Sequence, residues 1–269
     1  MKKILVPTDF SPNAEKAMNY AIQVAARAGA EILLVHAIEM GGAESEMLTE
    51  KEKLETAGRL ITETEKVTVN TLLAEDTPVN AILSAIKDFQ PDLVVMGTAG
   101  SSGVKEKLYG SRTAGVIGKS PIPVLAIPLL SEWAPPKTLL LTIRDFNVKD
   151  EVLAPFISLA KLFNAEIQLT IFTDVDDDYV EDYRLHEEKI ALFRDVLKEK
   201  HPGLKIHAVH LAGKHFRDSL QNWITQHEVS IVAMLTHHKN FISSIFSPSM
   251  TKKMSYYTNV PLLAIPLPA

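Results

Sequence analysis

Short, wholly apolar runs alternate along the chain with longer stretches in which apolar residues recur every three or four positions. The first kind reads as strands buried on both faces, the second as helices with one face on a core. Ile4-Leu5-Val6 is the first strand. Ser11-Pro12 opens a helix, with Ser11 as the cap and the proline in the first turn. Ala14, Ala17, Met18, Ala21, Ile22, Val24 and Ala25 form its apolar face, and Gly29 ends it. Glu31 to Ala37 is the second strand, Glu44 to Lys66 a charged, solvated helix, and Val67 to Leu73 the third strand. Pro78 to Phe89 is a helix and Asp92 to Met96 the fourth strand; a helix after Ser111 leads to the fifth, Val124 to Ile127. This alternation predicts an α/β fold, a parallel sheet covered by helices on both faces. Ligands in such sheets sit beyond the carboxyl ends of the strands at the switch point, here between strands one and four. Asp9 lies just past strand one and Gly97 just past strand four.

The pattern then repeats. Phe89 to Thr98 matches His227 to Thr236, and Ile122 to Pro128 matches Val260 to Pro266, both at an offset of 138 residues with no gap between the matches. Asp9-Phe10 returns as Asp145-Phe146, and Ala30-Glu31-Ile32 as Ala165-Glu166-Ile167. A period this long signals duplicated domains rather than a solenoid, whose periods run about 20–50 residues. Leu130 to Pro136, with paired prolines, separates the copies. The expected domains are 1–130 and 137–269, each a five-stranded Rossmann-like parallel sheet, with the last strands able to pair antiparallel in an intramolecular pseudo-dimer.

Composition narrows the function classes. A net charge of -5 argues against a nucleic-acid partner, whose binding face would be basic. No apolar run reaches the roughly 18–20 residues of a membrane span. The absence of cysteine removes disulfides and thiolate metal sites. The expected location is the cytoplasm.

The candidate chemistry lies in one loop. Gly97-Thr98-Ala99-Gly100, nine residues, then Gly110-Ser111 follow an apolar strand and precede a helix. Glycines let a backbone approach an anion and aim N–H groups at it, and a helix start adds unpaired donors. Ser111 can cap that helix or donate to a phosphate oxygen. Gly118-Lys119-Ser120 resembles the end of a Walker A loop but fails the pattern, because Thr113 stands at the upstream glycine position and Pro121 follows where a helix should begin. Eight of nine histidines lie after residue 150, and neither they nor the acidic run Asp174 to Asp178 has a recognisable metal-ligand spacing. No metal site and no catalytic base–nucleophile set is expected.

Together, Ile4-Leu5-Val6-Pro7-Thr8-Asp9-Phe10-Ser11, the spacing Gly97, Gly100, Gly110, Ser111, and the closing Pro123-Val124-Leu125-Ala126-Ile127 resemble the universal stress protein family. The resemblance covers both halves and implies a tandem member with the adenine-nucleotide alpha-hydrolase-like fold. It implies ATP, with Mg, as ligand. Asp9, with Pro7 and Thr8 beside it, would meet the adenosine part, and the backbone near Ala37 would meet adenine. Met96, Gly97, Gly100, Gly110, Ser111, Arg112 and Thr113 would line the phosphate path. The second half departs from the pattern: Leu235, His238 and Pro248 stand where Gly97, Gly100 and Gly110 would, and only Ser249 keeps its type. One working nucleotide site and one degenerate domain are expected. Three readings stay open: a nucleotide-dependent stress switch read by a protein partner, with at most slow ATP hydrolysis; an interaction scaffold; and an adenylating enzyme, for which no acceptor site is evident. The resemblance also implies that further pairing into a homodimer is open to the chain.

Overall fold

Each repeat supplies five strands. A computed structural model of the protein describes residues 1–41, 43–98, 111–144, 146–175, 179–236 and 259–268. The first repeat runs β1 (Lys3–Thr8), α1 (Pro12–Ala28), β2 (Glu31–Ile38), α2 (Glu44–Glu65), β3 (Val69–Glu75), α3 (Pro78–Phe89), β4 (Leu93–Gly97), α4 (Ser111–Ile117) and β5 (Val124–Ile127). The second runs β6 (Thr138–Thr142), α5 (Asp150–Phe163), β7 (Glu166–Asp174), α6 (Tyr179–Lys200), β8 (Ile206–Gly213), α7 (Phe216–Gln226), β9 (Ile231–Thr236) and β10 (Leu262–Pro266). The chain divides into two units, Met1–Trp133 with Thr236–Ala269, and Ala134–Leu235.

In the first unit the strands lie in the order β3-β2-β1-β4-β5-β10. The first five are parallel. β10 is antiparallel to β5, with Leu263 opposite Leu125, and so covers an edge that would otherwise be open. Steps from β1 to β3 run one way along the sheet and steps from β3 to β5 the other. Right-handed crossovers therefore put α1 and α2 on one face and α3 and α4 on the other, where those two helices pack together. The central strands read as wholly apolar because both faces are covered: Ile4, Leu5, Val6, Leu93, Val94 and Val95 are all buried.

Local chemistry sets the element ends. The Ser11 hydroxyl accepts the Ala14 N–H at 3.3 Å, and Pro12 needs no partner at the first helical position. Gly29 takes φ 63° and returns its N–H to the Ala25 carbonyl, ending α1. β1 extends two residues beyond its apolar run, because Pro7 and Thr8 stay in register with Val35 and His36. β3 starts two residues later than its sequence pattern, after Lys66 turns left-handed at φ 59° to end α2.

The second unit keeps the same order, β9-β6-β7-β8 corresponding to β4-β1-β2-β3, with all neighbours parallel. Leu139, Leu140, Leu141 and Phe156 form the centre of its core. Among the described residues no helix is long and apolar enough to cross a membrane.

Candidate functional site

A cleft of about 780 Å³ opens in the first unit beyond the carboxyl ends of β1, β2 and β4. Of the residues expected at a site, Pro7, Thr8, Asp9, Ala37, Met96, Gly97, Ser111, Arg112 and Thr113 all line it. Gly100 and Gly110 lie outside the described residues, as do Asp145, His238, Pro248 and Ser249 of the second repeat.

The floor is the turn from β1 into α1. Its N–H groups are taken up by its own side chains: Thr8 Oγ1 accepts from Phe10 at 3.0 Å and Asp9 Oδ1 from Ser11 at 3.1 Å. Phe10 sits at φ 55°, a left-handed conformation uncommon for an aromatic residue. Asp9 Oδ2 lies 3.7 Å from Arg112 Nη1 at the start of α4. Arg112 is 52% exposed, so this pair is worth under about 1 kcal/mol and leaves the guanidinium able to turn toward another anion.

Gly97 and Thr113 tie the opposite wall together. A Cβ on Gly97 would come within 2.7 Å of Asn13 Oδ1 and 2.9 Å of the Asn13 carbonyl oxygen. The glycine therefore admits α1 against the end of β4, where buried Asn13 donates from Nδ2 to the Ile127 carbonyl at 3.0 Å. This role belongs to helix packing and adds to the backbone-approach role expected from the motif. Thr113, also buried, donates from Oγ1 to the Gly97 carbonyl at 2.9 Å. Its hydrogen is thus committed to holding α4 on β4.

Sequence reasoning missed the third wall. Asp76, Thr77 and Pro78, between β3 and α3, also line the cleft, and Asp76 Oδ1 accepts the Thr77 N–H at 2.6 Å and Asn80 Nδ2 at 3.1 Å. The available signal was an acid just past a strand, ahead of a hydroxyl residue and a helix-opening proline, as in Asp9 to Pro12 where Phe10 intervenes. Val35, Ile38, Ala81 and Ile82 give this side an apolar surface.

These groups suit an adenine nucleotide. The volume lies within the usual range of about 300–1,000 Å³ for cofactor sites, with an apolar side facing polar and charged groups. A flat base fits the apolar side beside the β2 backbone, a carboxylate can accept ribose hydroxyls, and Ser111 and Arg112 offer donors to phosphate.

The second unit holds a different polar cluster. Thr173 Oγ1 at the end of β7 lies 2.7 Å from both His186 Nδ1 on α6 and His210 Nε2 on β8. Tyr183 stacks on His210 at 3.9 Å between ring centroids. Burial, reinforced by His186, holds the His210 imidazole below the usual histidine range, against an opposing pull from Glu187. His210 Nδ1 is buried without a partner, so the neutral tautomer with hydrogen on Nε2 fits best: Nε2–H donates to Thr173, whose hydroxyl donates to His186. Leu235 occupies the place at the end of β9 that Gly97 has at the end of β4.

Residues 1–128 match the universal stress protein family. The chain is 32% identical over 139 residues to universal stress protein MJ0531 of Methanocaldococcus jannaschii, covering 47% of this chain and 81% of that protein. It is 34% identical over 135 residues to the universal stress protein in the QAH/OAS sulfhydrylase 3′ region of Thermus aquaticus, covering 47% of this chain and 98% of that one. The crystal structure of a universal stress protein from Archaeoglobus fulgidus DSM 4304 has a TM-score of 0.73 and covers 98% of both chains at 18% identity, a likeness of fold.

Proposed function

The chain belongs to the universal stress protein family, and from that premise we propose that its first domain, residues 1–130, binds ATP and acts as a switch read by a protein partner. The observation that carries this reading is the convergence of the Asp9 turn, the Met96–Gly97 strand end and Ser111–Thr113 on one cleft at the β1/β4 switch point. Asp9 accepts ribose hydroxyls, the backbone at Ala37 faces the adenine edge, and Ser111 and Arg112 meet the phosphates. Gly100 and Gly110 complete the phosphate loop, and Mg enters with the phosphates whose charge it neutralises. The second domain, residues 137–269, is a degenerate copy with a structural or regulatory role, since Leu235 puts a side chain where phosphate would need backbone. Turnover is slow at most. The switch works by population shift: ATP favours the conformation in which the Asp9 turn is formed, and the partner distinguishes the two states.

The test is to denature the purified protein, identify released nucleotide by mass spectrometry, and titrate nucleotide-free protein with Mg-ATP, comparing Asp9→Ala and Gly110→Val. One ATP per chain, lost in Gly110→Val and weakened about tenfold or more in Asp9→Ala, is the expected result. Two per chain would overturn the degenerate second domain. No binding by either measurement would leave an interaction scaffold.

A further inference from the structure

The backbone next to Asp9 is enclosed by a ring of four side chains, of which His36 lines the cleft while Phe10, Glu50 and Lys53 do not. His36, on β2, places Nδ1 2.7 Å from the Thr8 carbonyl oxygen. A carbonyl only accepts, so Nδ1 carries the hydrogen. The other ring nitrogen, Nε2, lies 3.4 Å from Glu50 Oε2 on α2. Glu50 pairs in turn with Lys53 at 3.6 Å, and Lys53 Nζ sits 3.9 Å over the Phe10 ring. Phe10 closes the ring against His36, with 5.0 Å between centroids. Glu50 Oε2 is buried and makes no aligned hydrogen bond; its contact with Lys53 is an ion pair, and its contact with His36 becomes one when the imidazole carries both hydrogens.

Two observations make this ring a coupling element rather than extra packing. The turn it encloses is held at a sparsely populated backbone conformation, φ 55° at Phe10, which persists only while its surroundings enforce it. The helix it holds is lightly anchored: of 22 residues in α2 only Leu54 and Gly58 are buried, and its first residue has no side-chain cap. Leu48 and Leu60 stand 59% exposed on that helix, apolar groups available to a protein surface.

We infer that the His36–Glu50–Lys53–Phe10 ring couples occupation of the cleft to the docking of α2, so that α2 displays the bound state, with His36 as the positioning residue. The inference rests on the nucleotide reading of the cleft. A ligand that needs Asp9 in place stabilises the formed turn, which holds Phe10 and the Thr8 carbonyl where Lys53 and His36 meet them. The coupling is reciprocal: a partner that pulls α2 away weakens ligand binding by the same factor.

The experiment is hydrogen exchange of the full chain, read by mass spectrometry over residues 44–54, with and without saturating Mg-ATP, alongside calorimetric affinity. ATP slows exchange there by about threefold or more in the natural protein, as ligand linkage to local opening requires. In the Glu50→Ala/Lys53→Ala double variant ATP binds within about threefold of normal but no longer protects α2, because neither side chain lines the cleft. His36→Ala loses both protection and about tenfold in affinity, the size of one hydrogen bond. His36→Asn keeps a donor for the Thr8 carbonyl and restores affinity without restoring protection, which a purely structural role for His36 would not produce. ATP binding with unchanged exchange over residues 44–54, or protection retained in the double variant, overturns this inference alone. Failure of the natural protein to bind ATP overturns the nucleotide reading and this inference with it.

Discussion

Replacing Gly97 with alanine tests whether the glycine at the end of β4 is required by helix packing. The added Cβ would lie 2.7 Å from Asn13 Oδ1, 2.8 Å from Asn13 Cγ and 2.9 Å from the Asn13 carbonyl oxygen. The Asn13 side chain is buried and held by its bond to Ile127, and its carbonyl moves only with α1, so both must give, the helix by about 0.5 Å, to restore ordinary contact. Overpacking of this kind costs ~2 kcal/mol, within the range of 1–3. That corresponds to a fall of about 4–8 °C in the midpoint of a unit this size. The chain has two tryptophans, Trp133 in the first unit and Trp223 in the second, and Trp133 packs edge-on against Tyr20 of α1 at 4.9 Å. In a Trp223→Phe background, urea denaturation followed by tryptophan fluorescence therefore reports the docking of α1. Asn13→Ala alone should cost about 1 kcal/mol through the lost bond to Ile127. It also removes two of the three close approaches, so Gly97→Ala and Asn13→Ala together should cost at least ~1 kcal/mol less than their sum. Additivity within about 0.3–0.5 kcal/mol, or a neutral Gly97→Ala, would refute the packing argument and return the glycine to the ligand alone.

Other predictions concern pH. The Tyr20 hydroxyl lies 2.6 Å from Ser131 Oγ and donates to the Glu132 carbonyl at 2.8 Å, so Tyr20→Phe should cost about 1–2 kcal/mol in the same denaturation assay. Burial raises the Tyr20 phenol above its ordinary 10.0, with the Ser131 bond opposing and Glu132 adding to the rise. The folded state thus holds the proton longer, and the associated stability is complete below pH 10.0 and lost as pH rises beyond it. Tyr20→Phe should remove that alkaline loss; an unchanged alkaline slope would contradict it. His210 is depressed below 6.5, so the unfolded chain takes up its proton first as the medium is acidified. Stability from this residue is complete above pH 6.5 and declines from there toward its lower folded value. Stability curves against pH should be flatter below 6.5 in His210→Leu than in the natural protein, and parallel curves would rule out the neutral cluster.

The parts of the fold written in local spacing were legible. Ser11-Pro12 and Gly29 mark the ends of α1 through cap chemistry confined to a few neighbouring residues. The apolar runs identify strands buried on both faces, and the crossover rule then brings the Asp9 turn and Gly97 to one crevice without knowledge of any contact. What was not legible depends on residues meeting across elements. Nothing near Gly97 says that Asn13, 84 positions earlier, will lie over it (97 − 13). Nothing near Thr173 says that histidines from α6 and β8 will converge on its hydroxyl. Phe10 carries no sign of a left-handed backbone, because the enforcing groups come from β2 and α2. Asp76 is a different failure: it lies just past strand three as Asp9 lies just past strand one, but the switch point of the sheet falls between strands one and four. The carboxyl end of β3 opens on the same cleft because β2 lies between β1 and β3 and α3 begins directly beyond it. The same neighbourhood relation puts α2, which joins β2 to β3, beside the Asp9 turn, so the helix with the fewest buried residues among α1, α2 and α3 is also the one joined to the turn by the His36–Glu50–Lys53–Phe10 ring.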